Sequence, residues 1–350
     1  MNANTDVNDY WTQQCSDPET PSEPFLSFKT IEGVEPLDAQ FGVASPKTVP
    51  DVLYDLLFGQ PKQTESELEP VRGNATKASP LYTHAILDAT KVSNLPELLA
   101  ASGLEHRCLF KGEAYEDMKD VAPWIVRLED GHGFTCSLFT CSDAPWHLWN
   151  SAPGIYFRSS GKLDELWGHF RKFTKVQDDD GKWFYFRFWE PSMFFGLVEN
   201  ATAIATQICA PLHSVVAPMD AHTVGHVLNP EPSFERPERP VLSTQTKIVL
   251  SKVRRHKMLI DIAEDIYLSE TAAKSTIDWP SQRDQTVRRG THALQTYGLR
   301  MRKSLHSYLM IRNAMPEVFD DNALQINEIL MTSDSESTKL DRLISYLRTV

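Results

Sequence analysis

The chain has 350 residues, of which 41% are hydrophobic and 23% are charged. This composition is typical of a folded globular protein and argues against a disordered, fibrous or membrane-embedded chain. No window approaches the roughly 20 uncharged apolar residues that a membrane helix needs, and the polar N-terminal residues lack the basic and apolar regions of a signal peptide. We therefore expect a cytoplasmic protein without membrane insertion.

The formal net charge of −12 is unevenly distributed. Residues 1–79 contain 13 acidic and 5 basic residues, whereas residues 241–312 contain 6 acidic and 13 basic residues. The overall charge argues against nucleic-acid binding by the whole chain, but the basic segment could contact phosphates or an acidic protein. A nucleic-acid-binding regulator that uses residues 241–312 stays open as an alternative.

The N-terminal region, residues 1–80, contains nine prolines and no sustained apolar period. This pattern predicts a proline-rich acidic arm without a packed core of its own. Within it, an apolar stretch at helical spacing lies between Pro50 and Gly59, which predicts a short docking helix near residues 50–58.

Residues 81–210 alternate between strand-like and helix-like stretches. Strands are predicted at 82–88, 104–110, 124–128, 155–158 and 183–189, with helices between them. This alternation predicts an α/β or α+β sheet domain, and of the two we expect an α+β core domain, in which a mixed β-sheet has flanking helices.

The C-terminal third is predicted to be helical. Residues 211–240 carry six prolines, which predicts a linker without regular structure. Beyond the linker, Leu259, Ile262 and Ile266 recur at helical spacing and Gly298 suits a helix end, so residues 241–350 are expected to form a helical lobe.

Aromatic residues are concentrated between residues 134 and 195, where 17 of 62 residues are Phe, Trp or Tyr. Side chains alternate along a strand, so the predicted strand 183–189 has a Phe face and a second face with Trp, Tyr and Arg. The Phe face is predicted to pack in the hydrophobic core. The second face either packs under a helix, with Arg187 paired to a carboxylate, or forms a partly exposed surface that binds a partner.

Sites of chemistry are harder to find in this sequence. Nucleophile-elbow, zinc-protease, P-loop and dinucleotide-binding motifs are all absent. Cys209, His213, His222 and His226 carry ligand-capable atoms, but their spacing matches no standard zinc signature. We expect no catalytic, cofactor or metal site, while an enzyme whose site is assembled from scattered residues stays open as an alternative.

Five blocks of sequence between residues 82 and 210 resemble one known family. They are Ala85-Ile-Leu-Asp-Ala89, Gly103-Leu-Glu-His-Arg-Cys-Leu-Phe110, Ala122-Pro-Trp-Ile-Val-Arg-Leu128, the segment Leu163-Asp-Glu-Leu166 with His169-Phe-Arg-Lys-Phe173, and Asp180-Gly-Lys-Trp-Phe-Tyr-Phe-Arg-Phe-Trp-Glu-Pro191. In order and spacing these blocks are similar to the Tap/TEC adaptor family of bacterial type VI secretion. The helical tail also resembles that family at Leu242-Ser-Thr-Gln245 and Ala293-Leu-Gln-Thr-Tyr-Gly-Leu299.

This resemblance implies a cytoplasmic adaptor or chaperone, not an enzyme. Such a protein binds a secreted effector and promotes its loading onto the VgrG spike protein, so an effector and VgrG are the expected partners. The aromatic face and the basic helices supply the candidate partner-binding residues, which are Trp183, Tyr185, Arg187, Trp189, Arg254, Arg255, Arg288 and Arg289.

Overall fold

The computed structural model of the protein describes residues 26–60, 80–234, 240–270 and 279–350. These residues divide into two compact units. The first contains the described residues up to Val176 together with Trp183–Pro191 and Thr202–Pro240, and the second contains Gln177–Lys182, Ser192–Ala201 and the described part of Val241–Val350. The sheet of the first unit and the helices of the C-terminal region confirm the predicted α+β class.

A seven-stranded sheet forms the centre of the first unit, in the order β1-β9-β8-β5-β2-β4-β3. The strands are β1 (Ser27–Ile31), β2 (Tyr82–Asp88), β3 (His106–Cys108), β4 (Pro123–Leu128), β5 (Gly154–Ser159), β8 (Ser214–Pro218) and β9 (Val224–Leu228). The pairs run antiparallel throughout, so the expectation of a mixed sheet is wrong. Helices between the strands suggested parallel neighbours, but β2 lies between the antiparallel strands β4 and β5, and β3, which runs parallel to β2, is not its neighbour.

Helices cover both faces of this sheet. They are α1 (Asp51–Leu57), α2 (Leu95–Ser102), α3 (Glu113–Met118), α4 (Gly133–Leu138), α5 (Leu163–Thr174) and α7 (Thr202–Cys209). Leu53 of α1 and Leu99 of α2 join the core on the face that contains Leu87. On the other face, Phe157 of β5 packs on Phe170 of α5, with ring centroids 5.2 Å apart.

The predicted arm is part of this domain where it is described. Strand β1 adds to the sheet edge beside β9, and α1 is the predicted docking helix, with Leu53 and Leu57 fully buried and Val52 exposed. The picture of an unpacked arm is therefore wrong for residues 26–60, because Val34, Val49 and Leu57 bury enough apolar surface to fix the chain. Residues 1–25 and 61–79 of the predicted arm lie outside the described residues.

The predicted linker contains two strands of the sheet. Strands β8 and β9 form a hairpin, so the expectation of an irregular segment is wrong for residues 214–228. The reason is where the prolines stand: Pro211 precedes β8, Pro218 is its last residue, and Pro230 follows β9. At strand ends a missing N–H costs no ladder hydrogen bond.

The predicted strand 183–189 is also shorter than expected. Residues 175–178 and 183–185 form β6 (Lys175–Asp178) and β7 (Trp183–Tyr185). After Tyr185 the chain leaves strand geometry, and Phe186, Phe188 and Trp189 are all buried. The strict alternation of faces therefore ends at Tyr185, because a turn follows.

The second unit is helical, as predicted for residues 241–350. Its elements are α6 (Pro191–Asn200), whose first residue belongs to the first unit, β10 (Val241–Leu242), α8 (Thr244–Glu270), α9 (Trp279–His292), a π-helical turn (Ala293–Tyr297), α10 (Arg302–Ala314), α11 (Pro316–Asp321), α12 (Ala323–Leu330) and α13 (Glu336–Leu347). Leu259, Ile262 and Ile266 are buried in its core, as their spacing predicts. Gly298 ends the π-helical turn with a φ of 70°, which glycine adopts without strain.

Among the described residues, no helix combines the length and the apolarity that a membrane crossing requires. Within the same residues, no three His, Cys, Asp or Glu side chains meet in a way that could hold a metal ion. The sites of interest are therefore surfaces and clefts of the two units.

Candidate partner-binding site

Strand β3 lies at one edge of the seven-stranded sheet, and its ladder to β4 determines which backbone groups are used. Arg127 donates its N–H to the carbonyl of Glu105 at 2.8 Å, and Leu109 donates to the carbonyl of Pro123 at 2.9 Å. In an antiparallel pair the bonded residues alternate, so Glu105, Arg107 and Leu109 face β4. The backbone groups of His106 and Cys108 therefore face away from the sheet.

A cleft of about 540 Å³ lies along this edge. One wall comes from α2, and the other comes from the segment that contains α3 and Lys119. The cleft is lined by Pro96, Glu97, Ala100, His106, Arg107, Cys108, Phe110, Lys111, Gly112, Tyr115, Lys119, Trp124 and Trp167. Its volume lies in the range typical of ligand sites, and four aromatic rings contribute to it.

Trp167 of α5 lies against one end of the open edge. Its indole N–H donates to the carbonyl of Cys108 at 2.7 Å, so one outward-facing acceptor of β3 is already used. The guanidinium carbon of Arg107 lies 3.5 Å from the centre of the Trp167 ring, and Arg107 also forms an ion pair with Asp164. The charge of Arg107 is thus largely balanced within the first unit.

Lys111 and Lys119 differ from Arg107 in this respect. Neither takes part in an ion pair between described residues. The remaining charged side chain that lines the cleft is the carboxylate of Glu97. The two ammonium groups make the cleft a favourable place for a carboxylate.

Two further side chains of the cleft are held by local hydrogen bonds. His106 Nδ1 lies 2.7 Å from the carbonyl oxygen of Leu104, which can only accept, so Nδ1 donates this hydrogen bond. The indole of Trp124 donates to the carbonyl of Lys119 at 3.0 Å. These bonds fix the floor and one wall of the cleft before any partner binds.

The thiol of Cys108 also faces this region, but it is not prepared for nucleophilic chemistry. Burial raises the pKa of Cys108 to about 11, so the thiol stays protonated near neutral pH. The cleft therefore offers surface for recognition and no activated nucleophile at this position.

Of the predicted partner-binding residues, Trp183 and Tyr185 are the most exposed aromatic pair. Their exposed fractions are 45% and 58%. The ammonium group of Lys175 lies 5.4 Å from the Trp183 ring centre and 5.9 Å from the Tyr185 ring centre. Tyr185 also contacts Phe110 of the cleft, with ring centroids 5.9 Å apart, so these rings and the cleft form one continuous surface.

Arg187 and Trp189, predicted to share that exposed face, are instead directed toward Asp88 at the end of β2. Arg187 Nη2 lies 2.5 Å and Trp189 Nε1 lies 2.9 Å from the same Asp88 oxygen. Trp189 is 3% exposed, so its assignment as a partner-binding residue is wrong. For Arg187, the structure shows the pairing with a carboxylate that the sequence left open.

The predicted arginines of the second unit are divided between surface and structure. Arg254 and Arg255 of α8 and Arg288 of α9 are exposed. Arg289 is half-buried and donates to the side-chain oxygen of Asn313 at 2.7 Å, which gives it a structural role within the helical unit. A steering role for the three exposed arginines stays a prediction.

The cleft itself was missed at the sequence level, except that Trp183 and Tyr185 lie beside it. Its rings, which are those of Phe110, Tyr115, Trp124 and Trp167, come from four separate segments of the chain. One signal was available: Phe110-Lys111-Gly112 breaks the predicted strand, and Gly112 has a positive φ of 65°. A chain that turns away at the edge of a sheet leaves that edge open.

A comparison with known families finds a match to part of the chain. Residues 83–207 match the sequence model of a family described as a domain of unknown function, DUF4123. The match begins in β2 and ends in α7, so it includes every residue of the cleft together with Trp183 and Tyr185. No curated protein and no solved structure matches the chain. The candidate site therefore lies within the part of the chain that matches this family.

Proposed function

We propose that this protein is a cytoplasmic, non-enzymatic adaptor that binds a protein effector of a type VI secretion system and promotes its loading onto the VgrG spike. The observation that carries the proposal is the DUF4123 match over residues 83–207. That family is associated with effector adaptors of type VI secretion. The same residues carry the resemblance to Tap/TEC adaptors that the sequence blocks indicate.

The surface beside the cleft supports a role in protein binding. Trp, Tyr and Arg are the residue types that contribute most at protein interfaces, and a contiguous patch of exposed rings is typical of an interaction surface. Trp183, Tyr185 and Phe110 form such a surface next to the cleft. We therefore assign effector binding to this surface and steering of an acidic partner segment to Arg254, Arg255 and Arg288.

The test is reconstitution with purified partners. The chain is expressed with VgrG and with each candidate effector encoded beside a VgrG gene in the source genome, and complexes are isolated through a tag on VgrG. We expect the effector to be retained on VgrG only when the chain is present. Equal retention without the chain, or a chain that binds neither protein, would refute the adaptor function.

A matched pair of variants assigns the surface. Trp183→Ala with Tyr185→Ala should weaken effector binding at least tenfold, because two exposed rings of the proposed interface are removed. Trp146→Ala removes a ring that is 58% exposed but lies in the loop before β5, and it should bind like the wild type. Equal weakening by both changes would move the interface away from β7.

A further inference from the structure

The open edge of β3 and the unpaired lysines of the cleft point to how the effector is held. We propose that an extended acidic segment of the effector adds to the sheet as a strand beside β3, pairing with His106 and presenting a carboxylate to Lys111 and Lys119. This inference rests on the proposed adaptor function and states the chemistry of the partner.

The backbone of β3 sets the length of the added strand. His106 presents both its N–H and its carbonyl away from β4, and Cys108 presents its N–H. The Cys108 carbonyl is occupied by the Trp167 indole, which therefore ends the pairing at that point. An added strand would form one closely spaced pair of hydrogen bonds with His106 and a third bond at Cys108.

The charges of the cleft select the sequence of the added strand. Lys111 and Lys119 have no carboxylate partner among the described residues, whereas Arg107 is paired with Asp164. The exposed acidic residues Glu113 and Glu116 of α3 do not line the cleft. Three basic residues and one acidic residue, Glu97, line the cleft, so an acidic side chain on the added strand is favoured there over a basic one.

The aromatic rings supply apolar contact for the same segment. Side chains alternate along a strand, so an acidic residue is flanked by neighbours that point the other way. Tyr115 and Trp167 are half-buried in the cleft and can cover an apolar neighbour. The expected motif is therefore an alternation of acidic and apolar residues over a few positions.

The decisive comparison uses two variants at one position. His106→Ala keeps the outward-facing N–H, whereas His106→Pro removes it and leaves the ladder to β4 intact, since that ladder uses Arg107 and Glu105. Effector affinity is measured for both variants, and thermal melting confirms that both are folded. We expect binding by His106→Pro to be at least tenfold weaker than binding by His106→Ala.

A second variant tests the charge requirement without touching the strand. Lys111→Glu with Lys119→Glu should weaken effector binding at least tenfold. Lys29→Glu places one such change, half the charge difference of the double variant, on β1 at the opposite edge of the same sheet, and should leave binding unchanged. Equal loss in both would show that the overall charge matters and not the cleft.

Hydrogen exchange gives a readout that needs no variant. The amides of His106 and Cys108 should exchange at least tenfold more slowly in the effector complex than in the chain alone. The complex could form while these amides exchange at the same rate as in the chain alone and the two His106 variants bind the effector equally well. That result would refute strand addition and leave the adaptor function standing. If the His106 amide is protected in the chain alone and the mass in solution is that of a dimer, the occupant is a second copy and the proposal is wrong.

If no effector complex forms, the adaptor function is refuted. A peptide then tests the strand site beside β3 independently of that function. The probe is an acetylated eight-residue peptide of alternating Glu and Val, compared with the same peptide carrying Lys for Glu. Protection of the His106 amide by the acidic peptide alone supports an acidic strand site. Protection by both peptides or by neither overturns it.

Discussion

Asp88 shows at the scale of one residue how the chain after β7 is fixed. One carboxylate oxygen accepts the N–H of Thr90 at 2.9 Å and its hydroxyl at 2.6 Å. The other accepts from Arg187 and from the Trp189 indole. Because Asp88 is 3% exposed, these four donors replace its hydration, and the segment that holds Phe186 and Phe188 is tied to the end of β2.

Replacing Asp88 by Asn tests this network. The neutral amide keeps one acceptor but turns an NH₂ group toward donors, so we expect the free energy of unfolding to fall by about 1.5–3 kcal/mol. Urea denaturation followed by tryptophan fluorescence measures the change. Asp164→Asn, which affects an exposed ion pair with Arg107, should cost less than about 1 kcal/mol. Equal costs for the two variants would contradict the role of Asp88.

His84 is a buried titratable group in the middle of the same strand. Burial, followed by the nearby charge of Arg127, lowers the pKa of His84 to about 3, and neither ring nitrogen makes a well-formed hydrogen bond. Its ring stacks on Phe157 with centroids 5.5 Å apart. His84 therefore behaves as a neutral aromatic residue of the core.

The direction of its effect on stability follows from this pKa. Between about pH 6.5 and pH 3 the unfolded chain binds a proton at His84 and the folded chain does not, so stability is complete above pH 6.5 and falls as the pH is lowered. We expect His84→Leu to lose stability less steeply with acidification, by up to about 1.4 kcal/mol per pH unit. Denaturation curves at pH 7.5, 5.5 and 4.5 test this, and parallel pH profiles for variant and wild type would show that His84 titrates normally.

At the scale of elements, the turn after β6 binds the N-terminus of α8. Asp179 Oδ2 accepts the N–H of Thr244 at 2.9 Å, and Asp178 forms an ion pair with Lys247 at 2.8 Å. Gln177 and Asp178 also pair in parallel with β10. Three consecutive aspartates, which could suggest a cation site, thus complement the positive end of a 27-residue helix.

The hydrogen bond from the Thr244 N–H to Asp179, which caps α8, can be removed without changing the turn. Asp179→Ala should lower the free energy of unfolding by about 1 kcal/mol, since the N–H of Thr244 loses its acceptor. Asp180→Ala is the matched control, because its own N–H, and not its carboxylate, bonds to Asp178. Circular dichroism at 222 nm during urea titration measures both, and a control that costs as much as Asp179→Ala would rule out the cap.

Sequence patterns identified elements best where a periodic stretch coincided with a boundary signal. Strand β2 and the helices α1 and α8 lie where the spacing places them, because prolines, glycines and apolar periods agree there. The hairpin of β8 and β9 was missed because its flanking prolines outweighed a short apolar run. The cleft could not be predicted, since it depends on how four distant segments meet at β3.

At the scale of the whole molecule, the predicted linker at residues 211–240 does not coincide with the division between the two units. Ser192–Ala201 precedes that boundary but belongs to the helical unit, and it contains the buried residues Phe194 and Leu197 of α6. A methyl group at Gly196 would overlap Val253 of α8, which shows how closely the two helices pack. The family match ends at residue 207, so it also includes this helix of the second unit.

A truncated chain tests the assignment of α6. A fragment of residues 26–240 retains the whole seven-stranded sheet but lacks α8, so α6 loses the helix that packs against it at Gly196. We expect this fragment to bind a hydrophobic dye and to aggregate, as followed by light scattering, whereas residues 26–350 stay monodisperse. A soluble fragment with a cooperative melting transition would show that α6 does not depend on the C-terminal helices.

The position of α6 in the chain has a consequence for synthesis on the ribosome. Val253 is translated about 60 residues after Gly196, which takes roughly 3–12 s at 5–20 residues per second. During that interval the nascent chain exposes the side of α6 at Gly196 that Val253 of α8 later contacts. Slow codons between residues 202 and 253 would lengthen this exposure and raise the demand for trigger-factor-like chaperones, whereas fast codons there would favour a soluble product.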